Sequence, residues 1–499
     1  MVKVSIKTPI RAEILSASQE ELDLMEKELS YTNTSLYFRY SKLLKNKWAR
    51  DRDPVKWSAE LNDLKGKMKR CLMWKEGSKT LIYPGSINYI KKVDIEAKSE
   101  IDYPKLDPMS FKNPIKFDLY PYQKTSIERL VETKHAAVEL CTGAGKSAVI
   151  TSICARIGAG TLIIVPYQSL FEDMVKNLSH HFGEKNVGVL GDGEKVLGRP
   201  LTVCISKSLS SLKPGTDDYE IIANSKAFMM DESQFVGAAT LEDVCHGILK
   251  DIPYRLFLSG TQLRGDGSIK LLRSIIGPIV ETLTTKEAIR GGYICDHDFR
   301  IKDIPSPNPK YKIKDPLKMK RYHFLYNQNI AQFIANLANA TASVKGESTL
   351  VLVEELEQIS ALIPLLKCKF AYAHSSSNKK ELERLGMKKV DSGESIEAFN
   401  RGEVKVLIGT SCISTGTNIY PTFNTVNWVG GSSEVKTKQG SVGRSVRKLE
   451  NSDYKTYHNP KPKSIIWDFN VKGVEIMENH LVERVEFYKD SGTEIKYIK

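Results

Sequence analysis

Short apolar runs rich in valine and isoleucine recur along two long stretches of the chain, each followed by a segment in which apolar residues return every three or four positions. Runs without in-and-out alternation belong to strands buried on both faces, and the segments between them have the period of helices, so the pattern is that of parallel strands with crossover helices. In the first stretch strands are expected over residues 136–140, 161–165, 202–205, 227–230 and 255–258. In the second they are expected over 349–353, 370–373, 404–408, 425–429 and 464–467. The first hundred residues have another texture, with a helix expected over 19–29 and a basic region studded with aromatic residues after it.

Two proline-rich stretches punctuate this pattern, Pro104 to Pro114 and Pro305 to Pro316. Proline removes a backbone donor and turns the residue before it away from helix, so both are expected to be domain junctions. The division that follows is an accessory α+β domain over 1–105, a first α/β lobe over 112–300 and a second over 318–499. A chain of 499 residues exceeds what one hydrophobic core usually supports, which agrees with several folding units.

Composition changes the picture little. Apolar residues make up 41% and charged residues 27%, as in ordinary globular chains. The longest apolar runs are far too short to cross a bilayer and the N-terminal segment lacks an apolar signal core, so a cytoplasmic location is expected, in the host cytoplasm if the chain is phage-encoded. The eight cysteines form no C-x-x-C pair, which points to packing thiols rather than a zinc ribbon or disulfide framework. Charge is more informative: a net +13 and a pI near 9.1 suit a polyanionic partner, although solvated lysines give the same totals. Between Arg39 and Lys79 there are 13 Lys or Arg against 5 Asp or Glu, interleaved with Tyr40, Trp48, Trp57 and Trp74. That mixture fits phosphate contact and base stacking, or else a small domain with a tryptophan core and a charged surface.

The sharpest local signal is Cys141-Thr142-Gly143-Ala144-Gly145-Lys146-Ser147, placed after an apolar strand and before a helical segment. Glycines let successive backbone N–H groups face phosphate oxygens, while Lys146 and Ser147 reach phosphate and Mg²⁺. Leu140 stands where the general phosphate-loop pattern has its first glycine. At 85 residues beyond Lys146, the apolar strand over 227–230 runs into Asp231-Glu232. Asp231 can hold the metal and Glu232 can polarise the attacking water. In Gln439-Gly-Ser-Val-Gly-Arg444-Ser-Val-Arg447 the two arginines lie three apart, so one helical face can carry both to a γ-phosphate. Gln439, Arg444 and Arg447 are counted with Lys146, Asp231 and Glu232 as catalytic candidates.

From about Phe117 to Asp468 the order of these segments resembles superfamily 2 helicases. The resemblance implies two tandem RecA-like lobes, ATP and Mg²⁺ as cofactors, DNA-dependent ATPase activity and DNA as partner. By resemblance Gln123 recognises adenine, and the nucleotide site takes in Thr142, Gly143, Ala144, Gly145, Lys146, Ser147 and Gly416. Pro166, Tyr167, Gln168, Ser206, Lys207, Thr410 and Ser411 would contact the nucleic acid, while Gln234, Ser259, Thr261 and Asn418 would couple it to the nucleotide. Gln234 stands where His or Asp is usual and Asn418 where many members have Asp, which bears on coupling rather than hydrolysis. The compact motor with a basic N-terminal domain looks most similar to phage UvsW-type helicases, which implies work on forked or branched DNA in recombination, repair or replication. An RNA helicase, a duplex translocase of the same superfamily and a nucleotide-switched scaffold without turnover remain as alternatives.

Overall fold

A computed structural model describes residues 1–115, 118–233, 238–260, 269–311, 315–344, 347–376, 378–410, 413, 419, 422–431, 463–489 and 491–498. The chain divides into two units, Met1–Leu140 with Lys146–Thr282, and Cys141–Gly145 with Leu283–Lys499.

The first unit holds two sheets. The eight-stranded sheet has the spatial order Glu194–Val196, Val187–Gly191, Leu201–Ile205, Thr161–Val165, Ala227–Asp231, Tyr254–Ser259, His135–Leu140 and Ile279–Leu283. Its central pairings are all parallel, and its only antiparallel pairing among the described registers is the edge hairpin 187–196. Every residue of Thr161–Val165 and Ala227–Asp231 is buried, as a strand covered on both faces requires. The five expected strands are all present within one residue at either end, and three more flank them.

The accessory domain is a five-stranded sheet in the order Met73–Glu76, Lys79–Ile82, Arg11–Ser16, Val2–Thr8 and Ile95–Ser99. Its helix Gln19–Leu29 matches the expected span; Ser18 and Glu21 form a reciprocal capping box at its start, and Met25 and Leu29 face the core. A helical arm, Thr34–Leu44 packed on Pro54–Met68, rises from a two-stranded neck of Ser30–Thr32 and Lys69–Cys71. The accessory sheet does not stand apart from the first lobe. Val2, Val4, Met25 and Ile82 belong to the same continuous hydrophobic core as Phe228, Leu271, Leu272 and Ile275. The first proline-rich junction is likewise bound to the lobe: Asp107 N–H donates to Ile157 O at 3.0 Å and Met109 N–H to Ala155 O at 2.8 Å. Gly158, at φ +83°, is where the two backbones meet, since a Cβ there would lie 1.4 Å from Asp107 O.

The second unit is a seven-stranded sheet in the order Phe370–Ala373, Val406–Gly409, Thr349–Val353, Asn424–Trp428, Lys463–Lys472, Asp296–Pro305 and Ile495–Ile498. All its registered pairings are parallel. The expected boundary is therefore corrected. Asp296–Pro305, split in the sequence division between the end of the first lobe at 300 and the junction after it, is an inner strand of the second sheet, and the second proline stretch lies inside the second unit rather than between the two. Charges hid this strand, but they are paired across to its neighbour: Lys463 Nζ is 2.7 Å from Asp298 Oδ1 and Lys472 Nζ is 3.3 Å from Asp303 Oδ2. Behind the same strands, Arg484 of helix Glu475–Lys489 donates to both Asp468 oxygens at 2.7 and 2.9 Å and to Gly431 O at 2.5 Å. Tyr488 OH donates to Asp468 at 2.6 Å. No described helix is long and apolar enough to cross a membrane.

Candidate functional site

In a parallel sheet all strands end on the same edge, and ligands bind beyond those C-terminal ends. Strand registers of the first lobe set that edge. Asp231 pairs with Leu258, so Asp231 and Ser259 leave neighbouring strands one step apart. Ile205 pairs with Val165, so Ser206-Lys207 and Pro166-Tyr167-Gln168 emerge side by side, and Met230 pairs with Ile164, which sets Asp231 next to them. Ser259 pairs with Glu139, one residue before the end of the strand that leads into the phosphate loop.

The loop runs from Leu140 to the helix Lys146–Ile157. Gly143 and Gly145 have φ of +87° and +73°, left-handed values that side chains resist, and Ala144 N–H donates to Cys141 O at 3.1 Å to close the turn. Thr142 and Gly143 are half-buried, Ala144 is buried and Gly145 and Ser147 are exposed. Cys141, at the start of the loop, is a buried thiol, as are Cys154, Cys204, Cys245 and Cys295.

Lys146 Nζ lies 3.1 Å from Glu232 Oε1, with both side chains largely buried. Asp231 is 4% exposed and its Oδ1 accepts the Glu232 N–H at 2.9 Å. Burial, and then the neighbouring Glu232 charge, push the Asp231 carboxyl above the usual carboxylate range, while Lys146 opposes them. Glu232 itself adopts φ +48°, a strained conformation costing about 1–3 kcal/mol of the kind that collects at functional sites. Burial and the Glu232 charge also raise the Tyr167 hydroxyl, which ties the segment after Val165 electrostatically to the acidic pair.

The remaining expected residues are placed as follows. Gln123 is buried, and its Oε1 accepts the Tyr120 N–H at 2.9 Å, capping its own helix Pro121–Thr133. Gln168 opens the helix Gln168–Phe182 and donates to Glu172 at 3.1 Å; Ser206 is buried and Lys207 exposed at the start of Ser206–Leu209. In the second unit Thr410 follows Val406–Gly409, its N–H donating to Ala373 O at 3.2 Å. It lines a cavity of about 450 Å³ at that sheet's C-terminal edge with Arg321, Glu355, His374 and Ser376. Gln234, Thr261, Ser411, Gly416, Asn418, Gln439, Arg444 and Arg447 lie outside the described residues.

The aromatic residues of the basic region divide between packed and exposed rings. Trp57 donates its Nε1–H to Leu43 O at 3.0 Å, inside the helical arm, and Trp74 packs against Tyr83 and His246 with centroids 5.1 and 5.7 Å away. The exposed rings are Tyr37 and Phe38, 49% and 70% accessible, on an arm that carries nine Lys or Arg against four Asp or Glu between residues 33 and 68. Helical spacing in sequence puts Leu36, Tyr40 and Leu43 on one face and leaves Tyr37 and Phe38 off it, which was the signal available.

Together the tandem parallel sheets, the phosphate loop and the acidic strand end are those of an ATP-hydrolysing enzyme of the helicase type on two RecA-like lobes, and in them the chain is similar to superfamily 2 helicases. Residues 116–263 match the family model described as Type III restriction enzyme, res subunit. The chain is 22% identical over 390 residues to DNA 3'-5' translocase XPB2 of Sulfurisphaera tokodaii, covering 72% of this chain and 86% of that protein. It is 23% identical over 376 residues to ATP-dependent DNA helicase RecG of Staphylococcus epidermidis, covering 72% of this chain and about half, 51%, of that protein. Among solved structures, that of T4 UvsW aligns over 100% of this chain and 99% of its own at 15% identity, with a TM-score of 0.44.

Proposed function

We propose that the chain is an ATP-driven DNA translocase or helicase that remodels forked and branched DNA in recombination, repair or replication. The observation that carries this reading is the single edge of the first lobe. There Lys146, Asp231 and Glu232 share strand ends with Pro166-Tyr167-Gln168 and Ser206-Lys207, so one set of strands connects nucleotide to track. That two relatives are named for action on DNA supports DNA as the polymer.

Residue roles follow from chemistry. Lys146 draws the β- and γ-phosphates, and Glu232, released from Lys146 by that exchange, accepts the proton of the attacking water. Asp231 and Ser147 would hold Mg²⁺; a buried carboxylate whose charge is disfavoured suits a hydrated divalent cation, which when bound neutralises phosphate charge. Arg444 and Arg447 would neutralise charge on the γ-phosphate, Gln123 and Gly416 would contact the nucleotide, and Thr410 and Ser411 would grip the track. The basic accessory arm holds the duplex or junction through phosphates and through Tyr37 and Phe38.

The test is ATP turnover titrated with single-stranded DNA, duplex, fork, four-way junction and RNA at one salt concentration. Strongest stimulation by fork or junction is expected; strongest stimulation by RNA would make the chain an RNA helicase instead.

A further inference from the structure

Two helices of the first lobe carry polar contacts to the accessory domain, and both follow in chain order segments that serve the nucleotide site. Helix Ala238–His246 comes next after Asp231-Glu232-Ser233, and helix Ile269–Ile276 is the next described helix after Ser259.

On the first helix, Glu242 receives a two-pronged contact from Arg70, with Nη1 at 2.7 Å from Oε2 and Nη2 at 3.0 Å from Oε1. It also receives the Tyr83 hydroxyl at 3.0 Å. One turn further on, His246 closes an aromatic cluster with Tyr83 at 5.0 Å and Trp74 at 5.7 Å. Planar guanidinium against carboxylate fixes direction as well as distance; Arg70 stays 43% exposed, while Tyr83, at 3%, closes the inner side of the contact. On the second helix, Lys270 Nζ donates to Glu28 O at 3.0 Å and Ser30 O at 3.3 Å, at the C-terminal end of Gln19–Leu29 where carbonyls face outward. A turn beyond, Gly85 of the accessory domain approaches the backbone of Ser274 so closely that a Cβ would sit 2.5 Å from its carbonyl oxygen. Four contacts of different kinds therefore hold two helices to one rigid body.

We propose that Glu242 and Lys270 are positioning residues through which the accessory domain sets the two helices behind the nucleotide site, so that nucleic acid held by that domain raises ATP turnover. This rests on the reading of the chain as a nucleic-acid-stimulated ATPase. Glu232 occupies a strained backbone position, and such a position holds only where its surroundings over-determine it. Helix Ala238–His246 is the next described helix after the acidic segment in the chain, and Arg70 fastens it to the accessory domain. A shift of the accessory domain on binding is thus delivered to the segment that carries the general base, without any direct contact between nucleic acid and Glu242 or Lys270.

The experiment compares the full-length chain with Glu242→Gln, Lys270→Met and Lys270→Arg, measuring kcat and KM for ATP with and without forked DNA, and fork affinity separately. Expected are basal turnover and fork affinity within about twofold of the wild type, a fall of about tenfold in the stimulation of kcat for Glu242→Gln and Lys270→Met, and recovery in Lys270→Arg, whose cation still reaches the helix end. Stimulation equal to the wild type in both Glu242→Gln and Lys270→Met would overturn the inference, as would loss of stimulation only in step with loss of fork affinity. A wild type with no stimulation by any nucleic acid would instead contradict the function proposed above, so the two failures are distinguishable.

Discussion

A phosphate that reaches Lys146 has to compete with a carboxylate, because Glu232 already neutralises the ammonium at 3.1 Å. Two consequences separate the partners. Glu232→Gln removes both the competitor and the proton acceptor, so nucleotide affinity should hold or tighten while turnover falls by ~10²–10⁴-fold, the usual contribution of a general base. Lys146→Ala should abolish turnover and weaken nucleotide binding as well. Steady-state phosphate release alongside titration of a fluorescent ATP analogue checks both, and both variants should keep junction binding. A Glu232→Gln enzyme with normal turnover would remove Glu232 from the site.

Among the elements, the helical arm and the paired strands of the second lobe carry distinct expectations. Replacing Tyr37 and Phe38 together by Ala should weaken single-strand binding by about 1–3 kcal/mol per lost stacking contact, read by fluorescence anisotropy, with no loss of folding since both rings are exposed. In the second lobe Arg484 and Asp468 are 2% and 1% exposed, and removing one partner leaves the other's charge buried. Arg484→Met should therefore cost about 3–5 kcal/mol in chemical denaturation. The strands also show how far the sequence could be read. Thr161–Val165 and Thr349–Val353 lie where their apolar runs put them, because a strand covered on both faces has no other composition available. Asp296–Pro305 was missed because its Asp298 and Asp303 are paired with Lys463 and Lys472, more than a hundred positions away, and no local pattern records such pairing. The nucleotide site was more legible than the aromatic surface. Lys146 and Asp231-Glu232 follow strands directly, so chain order fixes their edge, whereas Trp57 and Trp74 versus Tyr37 and Phe38 is a question of which rings tertiary packing covers.

At the scale of the whole molecule, the shared core of accessory sheet and first lobe means that this unit should unfold as one, and that the accessory domain and the strand that ends in Asp231 are mechanically continuous. Stability should depend on pH through His297, fully buried in an inner strand of the second lobe with its ring 5.1 Å from Phe299. Burial lowers its pKa to about 4. An unfolded chain takes up the proton near pH 6.5 and the folded one only near 4, so stability is full above 6.5 and declines as pH falls between those values. The slope approaches ~1.4 kcal/mol per pH unit. Denaturation midpoints from pH 7 to pH 4 should show that decline, and His297→Phe should flatten it.

The central claim is that occupancy of a nucleic-acid track controls hydrolysis at Lys146, Asp231 and Glu232. Phosphate release by the intact chain, measured with and without forked DNA beside the Lys146→Ala variant, tests it most directly. Turnover that rises on adding the fork and vanishes in the variant is the predicted result; turnover indifferent to nucleic acid, or persisting without Lys146, would contradict it.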